Sequence, residues 1–297
     1  MKPFILSFIF LFSVITKVIA QEEFATDYKV HYEMVFYIDS LNLDQKDTAN
    51  MYLFANSEYG VFVNQSRTDA DEQLEKMRQR LGANVQIKIN FNSNKGQDLN
   101  KAIFTNHQSG EVKVLQNLGD KDYVYIEPAK MDTWEINEDT KEFMGYTVQK
   151  ATIDFAGRSY EAWFTMEIPI PNGPYVFHGL PGLIVELYDT QDHYHFTMLG
   201  LEKLEAPKIW TLPKAEESSK EKINQIQKRL NDNALSGSDY QYMMGKTPGV
   251  SGSITVADGQ AATMNLKNRS GQDISKEDLK RMFKSNLDNK NNPIELE

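Results

Sequence analysis

Apolar and polar residues alternate along the first part of the chain with the period of two that is typical of β-strands. Between Tyr28 and Ile38 every even position holds an apolar or aromatic residue, whereas Lys29, His31 and Glu33 are polar. A strand whose side chains point in turn to a core and to solvent produces this pattern. We therefore predict a half-buried antiparallel strand over this segment.

Shorter runs of strand composition follow, and turn sequences such as those at 108–110 and 156–157 separate several of them. The runs lie at 51–55, 60–64, 85–91, 101–105, 111–116, 122–127, 132–136, 146–155, 158–166, 182–188 and 194–204. Helical segments do not alternate with these runs, so parallel βαβ units are not expected. The pattern predicts a mainly β fold with helical additions, in which a curved antiparallel sheet forms a meander crossed by one or more helices.

Three segments have helical patterns instead. Residues 69–81 carry acidic side chains at their start and basic ones at their end, which suits the helix dipole. Residues 214–231 have a thin apolar stripe, and Ser275 with Asp278 forms the capping-box pattern of a helix over 275–287. Residues 235–273 are rich in Gly, Ser and Thr, so we expect a loop-rich excursion there.

The first twenty residues have the organisation of a secretory signal peptide. Lys2 precedes an apolar run that ends at Ile15, and Val18 and Ala20 supply the small-residue pattern of a cleavage site. We expect cleavage after Ala20, a periplasmic or secreted mature chain, and no stable membrane insertion after cleavage. The chain then divides into a signal peptide (1–20), a β-rich domain (21–210) and a helical and loop-rich C-terminal extension packed on the sheet (211–297).

Charge and cysteine content narrow the classes of function. The chain has 32 basic and 42 acidic residues, a formal net charge of −10, and cleavage after Ala20 removes two lysines and changes this to 30 − 42 = −12. An acidic balance disfavours nucleic acid as a partner, because nucleic-acid binding needs clustered Lys and Arg. With 0 cysteines the chain forms no disulfides and offers no lipid-accepting cysteine. We expect no cofactor.

Sequence motifs of the common enzyme classes are absent, including the nucleophile elbow, the zinc-protease helix and the phosphate-binding loops. The strongest alternative is a metal-dependent hydrolase that uses His193 and His195, with Asp189 as a third ligand. Two residues apart on a strand, the two imidazoles would share a face, as a zinc half-site requires. The same residues also fit a polar hairpin tip followed by the solvent face of a strand.

Residues 163–189 form the most distinctive segment. Four prolines and three glycines fall within the fourteen positions from 169 to 182, so the backbone is restricted and ordering it costs little entropy. We interpret Gly179, Pro181 and Gly182 as a structural turn, with glycines chosen for backbone geometry. The aromatic and apolar residues of the segment are the candidates for ligand or partner binding: Trp163, Tyr175, Phe177, His178 and Leu180.

The stretch from Tyr146 to Asp189 closely resembles the signature of the GLPGLI family, which comprises exported proteins of the Bacteroidetes with a Porphyromonas-type domain of unknown function. The matching positions are Lys150, Ala151, Gly157, Arg158, Tyr160, Ala162, Trp163, Pro169, Gly173, Pro174, Phe177, Gly179, Leu180, Pro181, Gly182, Leu183 and Ile184. The resemblance implies no catalytic residues, since no activity is assigned to the family. In fold alone, the chain also resembles the half-barrel of periplasmic lipoprotein carriers.

Two hypotheses about function follow from the sequence. The first is a non-catalytic envelope protein that binds an apolar ligand or an envelope protein partner, through a concave sheet face or through the proline-rich loop. The second is the metal-dependent hydrolase at His193 and His195. We favour the first.

Overall fold

A computed structural model describes most of the chain downstream of the predicted signal peptide. The described residues are 23–37, 46–69, 72, 101–118, 121–127, 131, 133–237, 239–247, 249–255, 263–268, 270–288 and 294. The strand predicted at 85–91 lies outside them, as does most of the helix predicted at 69–81. Residues 65–69 and residue 72 are helical, so this helix begins four residues earlier than expected.

The described residues form one large sheet and one small hairpin. The strands are β1 (Glu23–Tyr37), β2 (Lys46–Ala55), β3 (Tyr59–Asn64), β4 (Lys101–Asn106), β5 (Glu111–Leu118), β6 (Lys121–Glu127), β7 (Glu135–Phe143), β8 (Tyr146–Phe155), β9 (Arg158–Thr165), β10 (Leu183–Asp189), β11 (Tyr194–Thr211), β12 (Glu216–Glu217), β13 (Ser251–Thr255) and β14 (Thr263–Lys267). The twelve-stranded sheet has the order β12-β6-β5-β4-β3-β2-β1-β11-β10-β9-β8-β7, and β13 pairs with β14. Every neighbouring pair is antiparallel except β12 with β6.

The sheet remains open, with β12 at one edge and β7 at the other. The predicted fold class, mainly β with helical additions around an antiparallel sheet, is confirmed. Its centre is the long pair β1 and β11, whose register shifts twice, between Thr26 and Tyr28 and between His31 and Tyr32. Such irregularities bend strands and increase their twist.

Two cores lie against the large sheet. The main core contains the buried, even-numbered side chains of β1, as the alternation predicts: Val30, Tyr32, Met34 and Phe36. A second core contains Phe24 together with the alternate side chains of β2 to β6, such as Phe54 and Phe104. Strands β2 to β6 are therefore covered on both faces, which explains why their sequences are apolar at consecutive positions.

Three helices follow the sheet: α1 (Lys220–Gly237), α2 (Tyr240–Lys246) and α3 (Lys276–Asp288). Helix α1 starts later than predicted, because Ser219 accepts a hydrogen bond from the backbone N–H of Lys222 and caps it. Ile223 of α1 is buried in the main core. At α3 the predicted capping box is confirmed, since the Ser275 hydroxyl and the Asp278 carboxylate each accept a hydrogen bond from the other residue's backbone N–H.

The expectation of a loop-rich excursion at 235–273 is wrong. This segment contains α2 and the β13–β14 hairpin, and with α3 it has a small core of its own around Met243, Leu266 and Phe283. The composition was misleading because these elements are short and bury few side chains each. The boundary predicted between 210 and 211 stays a prediction. Within the described residues, no helix combines the length and the apolar composition needed to cross a membrane.

Candidate functional site

The proline-rich segment packs part of its side chains into the main core. We call residues 166–182 the signature loop; it connects β9 to β10. The loop contributes six side chains to the main core: Ile168, Ile170, Tyr175, Val176, Phe177 and Leu180. Four of the five proposed binding residues, Tyr175, Phe177, His178 and Leu180, are buried in this structure. A ligand that reaches them has to displace the loop.

Phe177 is the centre of the buried part of the loop. Its ring lies 4.6 Å from the ring of Tyr160, 5.3 Å from that of Phe155 and 6.2 Å from that of Trp134, measured between centroids. The tilted and edge-on arrangements suit the quadrupoles of the rings, and each pair contributes about 0.5–1.5 kcal/mol beyond its buried area. The loop is consequently held by aromatic contacts with β8, β9 and the segment before β7.

The two turn glycines of the loop meet different constraints. Gly179 has φ of +93°, a conformation that glycine adopts without strain, and an added Cβ there would lie 2.9 Å from the carbonyl oxygen of Met131. At Gly182 the constraint is contact, because an added Cβ would lie 2.0 Å from the carbonyl oxygen of Thr165. Pro181 sits between them and fixes the intervening backbone.

His178 is buried in the loop, with only 9% of its surface exposed. Its Nδ1 lies 2.8 Å from the carbonyl oxygen of Val176, and its ring lies 5.6 Å from that of His107 in the β4–β5 turn. The Asn172 amide donates to Nε2 of His107 at 3.0 Å, which requires a neutral ring. Burial lowers the pKa of His178, and burial together with the nearby His178 lowers the pKa of His107 to about 4.

Asp189 takes part in a buried ion pair. Its Oδ2 accepts a hydrogen bond of 2.9 Å from Arg158, and its Oδ1 accepts one of 2.7 Å from the backbone N–H of Tyr194. Nη1 of Arg158 also lies 3.2 Å from Nδ1 of His193. The arrangement fixes the β10–β11 turn against the β8–β9 turn. Sequence reasoning did not find the pairing partner Arg158, although it matches the signature.

His193 and His195 have different partners. His193 precedes β11 and contacts Arg158, whereas Nε2 of His195 lies 3.1 Å from Glu186 and Nδ1 lies 3.4 Å from Asp192. Since the strand begins only at Tyr194, His195 lies on β11 and His193 immediately precedes it, and the zinc half-site stays a prediction. Over the described part of the chain, no group of three or more His, Cys, Asp or Glu side chains is arranged to hold a metal ion.

A cluster of partly exposed aromatic and charged side chains comes from four of the five consecutive strands β11-β10-β9-β8-β7, with no member on β8. Its members, which we call the Trp163 cluster, are Lys141 of β7, Trp163 of β9, Glu186 and Tyr188 of β10, and His195 of β11. The ammonium of Lys141 lies 4.2 Å from the Trp163 ring centroid and 2.5 Å from Oε2 of Glu186. The rings of Tyr188 and His195 lie 5.0 Å apart.

Electrostatics couple the charged members of the cluster. The hydrogen bond from His195 is the largest cause of the lowered pKa of Glu186, which the nearby Lys141 lowers further. The same hydrogen bond raises the pKa of His195. These shifts favour the ionised form of the Glu186 carboxylate and the cationic form of His195. Ionised, hydrogen-bonded groups on a sheet are fixed in position and can orient a bound partner.

Sequence reasoning named Trp163 and His195 but not the cluster. Trp163 and Glu186 are cross-strand partners, as are Tyr188 and His195. The available signal was the alternation of each strand, which places these residues at polar or outward positions. Bringing them together required the pairing of β9, β10 and β11, which the sequence pattern does not specify.

Comparison with protein families gives a match over residues 156–186, to a family described as "Protein of unknown function (Porph_ging)". The Porphyromonas-type resemblance is confirmed at this level, whereas the GLPGLI name stays a prediction. The matched residues run from the turn before Arg158, through the signature loop, to Glu186. They therefore include Arg158, the signature loop and two of the five members of the Trp163 cluster, Trp163 and Glu186.

Comparison with solved structures gives matches to chains described as "Structure of PNGF-II in C2 space group" and "Structure of PNGF-II in P21 space group". Each has a TM-score of 0.47 and 13% sequence identity, and the alignment covers 70% of this chain and 34% of that chain. The matched part corresponds to about a third of that protein's length. Among the curated proteins, none matches the chain.

Proposed function

We propose that the protein is an exported, non-catalytic envelope protein that binds a partner protein through the Trp163 cluster. The observation that carries this proposal is the position of Trp163: a half-buried indole on an interior strand, next to Tyr188 and to the ionised Glu186. Tryptophan and tyrosine are enriched among residues that dominate protein–protein binding energy. Strands hold such side chains more rigidly than loops do.

The burial of the signature loop favours this surface over the loop itself. Tyr175, Phe177 and Leu180 pack in the main core. Binding an apolar ligand there would expose these side chains and lose their burial, which is worth about 1.5–3 kcal/mol for each large apolar residue. A partner at the Trp163 cluster requires no such rearrangement. We therefore prefer a protein partner to an apolar ligand.

Export is supported by the sequence of the first twenty residues. The apolar run and the Val18-x-Ala20 pattern favour cleavage and a periplasmic or secreted location. Nothing in the contacts of His193 with Arg158, or of His195 with Glu186, favours the hydrolase alternative.

The test compares Trp163→Ala with a matched variant, Tyr240→Ala. Tyr240 is also a partly buried aromatic residue with a lysine over its ring, since Nζ of Lys276 lies 5.1 Å from the ring centroid. Unlike Trp163, it packs against the small C-terminal core. Proteins captured from native envelope extract by the parent chain are purified, and their affinity for each variant is measured by calorimetry.

We expect Trp163→Ala to weaken binding of the true partner by at least about tenfold, the scale of a hot-spot residue. Its melting temperature should change about as much as that of Tyr240→Ala, because both side chains are partly buried against a core. Tyr240→Ala should bind as the parent does. A partner that binds Trp163→Ala with unchanged affinity would contradict the proposed surface.

A further inference from the structure

Trp163 and Glu186 together hold an ammonium group, and that group belongs to the chain itself. Nζ of Lys141 lies 4.2 Å from the Trp163 ring centroid and 2.5 Å from Oε2 of Glu186. A ring face combined with a carboxylate is a recognised way to bind an alkylammonium. The second carboxylate oxygen of Glu186 contacts His195, so the acceptor is oriented independently of Lys141.

The two halves of this site differ in how firmly they are anchored. Trp163 and Glu186 lie on β9 and β10, which have neighbouring strands on both sides. Lys141 lies on β7, which among the described strands is an edge strand that pairs with β8 alone, and its register breaks between Ile136 and Thr140. Every residue of β7 but its last is exposed, and 39% of the Lys141 side chain remains accessible. Lys141 is therefore the exchangeable member.

We infer that the Trp163–Glu186 pair is the recognition site for a lysine side chain of the partner protein, and that Lys141 occupies it in the free protein. This inference rests on the proposed function and specifies the partner: a segment that presents a primary ammonium. Entry of that ammonium displaces Lys141 toward solvent. The exchange keeps the charge of the site constant, so no buried charge is left unpaired.

Charge complementarity favours a basic segment over an acidic one. The whole chain has a formal net charge of −10, and the carboxylates of Glu161 and Asp192 lie beside the cluster, paired with Lys150 and His195 respectively. An acidic segment would meet Glu186 with like charge, which is unfavourable in a well-ordered interface. The long-range field of the protein attracts cationic partners.

The experiment opens the site and fills it with a small probe. Lys141→Ala removes the resident ammonium, and Lys141→Thr repeats the test with a residue that suits a strand. The probe is Nα-acetyl-lysine amide, and Nα-acetyl-norleucine amide is its uncharged control. Binding is followed through the indole N–H signal of Trp163 in NMR spectra, assigned with Trp163→Phe among the 3 tryptophans.

The matched control variant is Lys208→Ala, which removes an ammonium group from aromatic rings outside the Trp163 cluster. Nζ of Lys208 lies 4.4 Å from the ring centroids of both Phe54 and Trp210. We expect both Lys141 variants to bind the lysine probe at least about tenfold more tightly than the parent. The norleucine probe should not bind, and adding Glu186→Gln to Lys141→Ala should abolish binding of the lysine probe. In Lys208→Ala, the indole N–H signal of Trp163 should respond to the lysine probe as it does in the parent.

Absence of lysine-probe binding to both Lys141 variants would overturn the inference, as would equal binding of the norleucine probe. The proposed function fails separately, when the purified partner binds Trp163→Ala as tightly as the parent. A partner that depends on Trp163 but binds Lys141→Ala no more tightly than the parent would retain the surface and refute the lysine exchange.

Discussion

Gly182 has no room for a side chain, because the carbonyl oxygen of Thr165 approaches to 2.0 Å of the place where a Cβ would lie. Gly179 is constrained by its φ of +93° as well as by the carbonyl of Met131. Both glycines are needed for geometry at the entry to β10.

Substitution of either glycine should destabilise the fold. We expect Gly179→Val and Gly182→Val each to lower the free energy of unfolding by about 2–4 kcal/mol, since the backbone must move to relieve the clash. Gly200→Ala is the control, because nothing lies within 4 Å of an added Cβ there. Thermal and urea denaturation measure the effect. Unchanged stability of both valine variants would refute the structural role of the turn.

The buried ion pair of Arg158 and Asp189 should also contribute to the free energy of unfolding. Arg158→Met should lower the free energy of unfolding by about 3–5 kcal/mol, because Asp189 remains buried without its cation. Adding Asp189→Asn should recover part of the loss, since the amide oxygen still accepts from the Tyr194 N–H and carries no charge. Urea denaturation of both variants tests this. A double variant less stable than Arg158→Met would show that the pair does not act as one unit.

The sequence predicted the roles of the turn glycines but not those of His178 and Asp189. The glycines of the turn could be interpreted from sequence, because positive φ and close approach are the two reasons for glycine in a rigid turn. The burial of His178 and the pairing of Asp189 could not be predicted. Both depend on residues distant in sequence, His107 and Arg158, that only the folded chain brings near.

Among the secondary-structure elements, the bounds of strands with a buried face could be predicted from the sequence. The bounds of a strand without a buried face could not. The run 146–155 coincides with β8, and β1 was identified from its alternation. The strand predicted at 132–136 instead continues to Phe143 as β7, whose exposed edge position leaves no apolar period to detect. The composition of the signature loop predicted a rigid, largely buried crossover, although its apolar residues also fitted a binding site.

Contact between the β4–β5 turn and the signature loop should make stability depend on pH. Folding lowers the pKa of His107 to about 4 from 6.5, mainly through burial, and lowers that of His178 as well. The unfolded chain therefore binds more protons below pH 6.5, and stability falls as the pH decreases. We expect a loss on the order of 2 kcal/mol between pH 6.5 and pH 4.

His107→Gln isolates this contribution, because the amide can still accept a hydrogen bond from Asn172 but does not titrate. Urea denaturation between pH 6.5 and 5 should show a flatter dependence for the variant than for the parent. His195 has a raised pKa, and its contribution is lost as the pH increases, so it does not mimic the effect. Identical slopes for the two chains would contradict the assignment to His107.

At the scale of the whole molecule, the fold class followed from the sequence but the site did not. Alternation and the lack of interleaved helices predicted an antiparallel sheet, which the open twelve-stranded order confirms. The order of strands places β11 beside β1 and β10, although many residues separate β1 from β11 along the chain. The Trp163 cluster depends on this order, which local patterns do not determine.

The central claim is that the signature loop belongs to the interior and leaves the Trp163 cluster as the binding surface. The most direct measurement is amide hydrogen exchange of the signature loop and the start of β10. The backbone N–H groups of Gly179, Gly182, Leu183 and Ile184 donate hydrogen bonds to the carbonyl oxygens of Pro171, Leu180, Ile168 and Asn172, respectively. We predict that peptides covering 175–184 exchange as slowly as peptides from β1, through global unfolding. Exchange of 175–184 within seconds, while β1 remains protected, would contradict the interior position of the loop. The signature loop would then again be a candidate binding site.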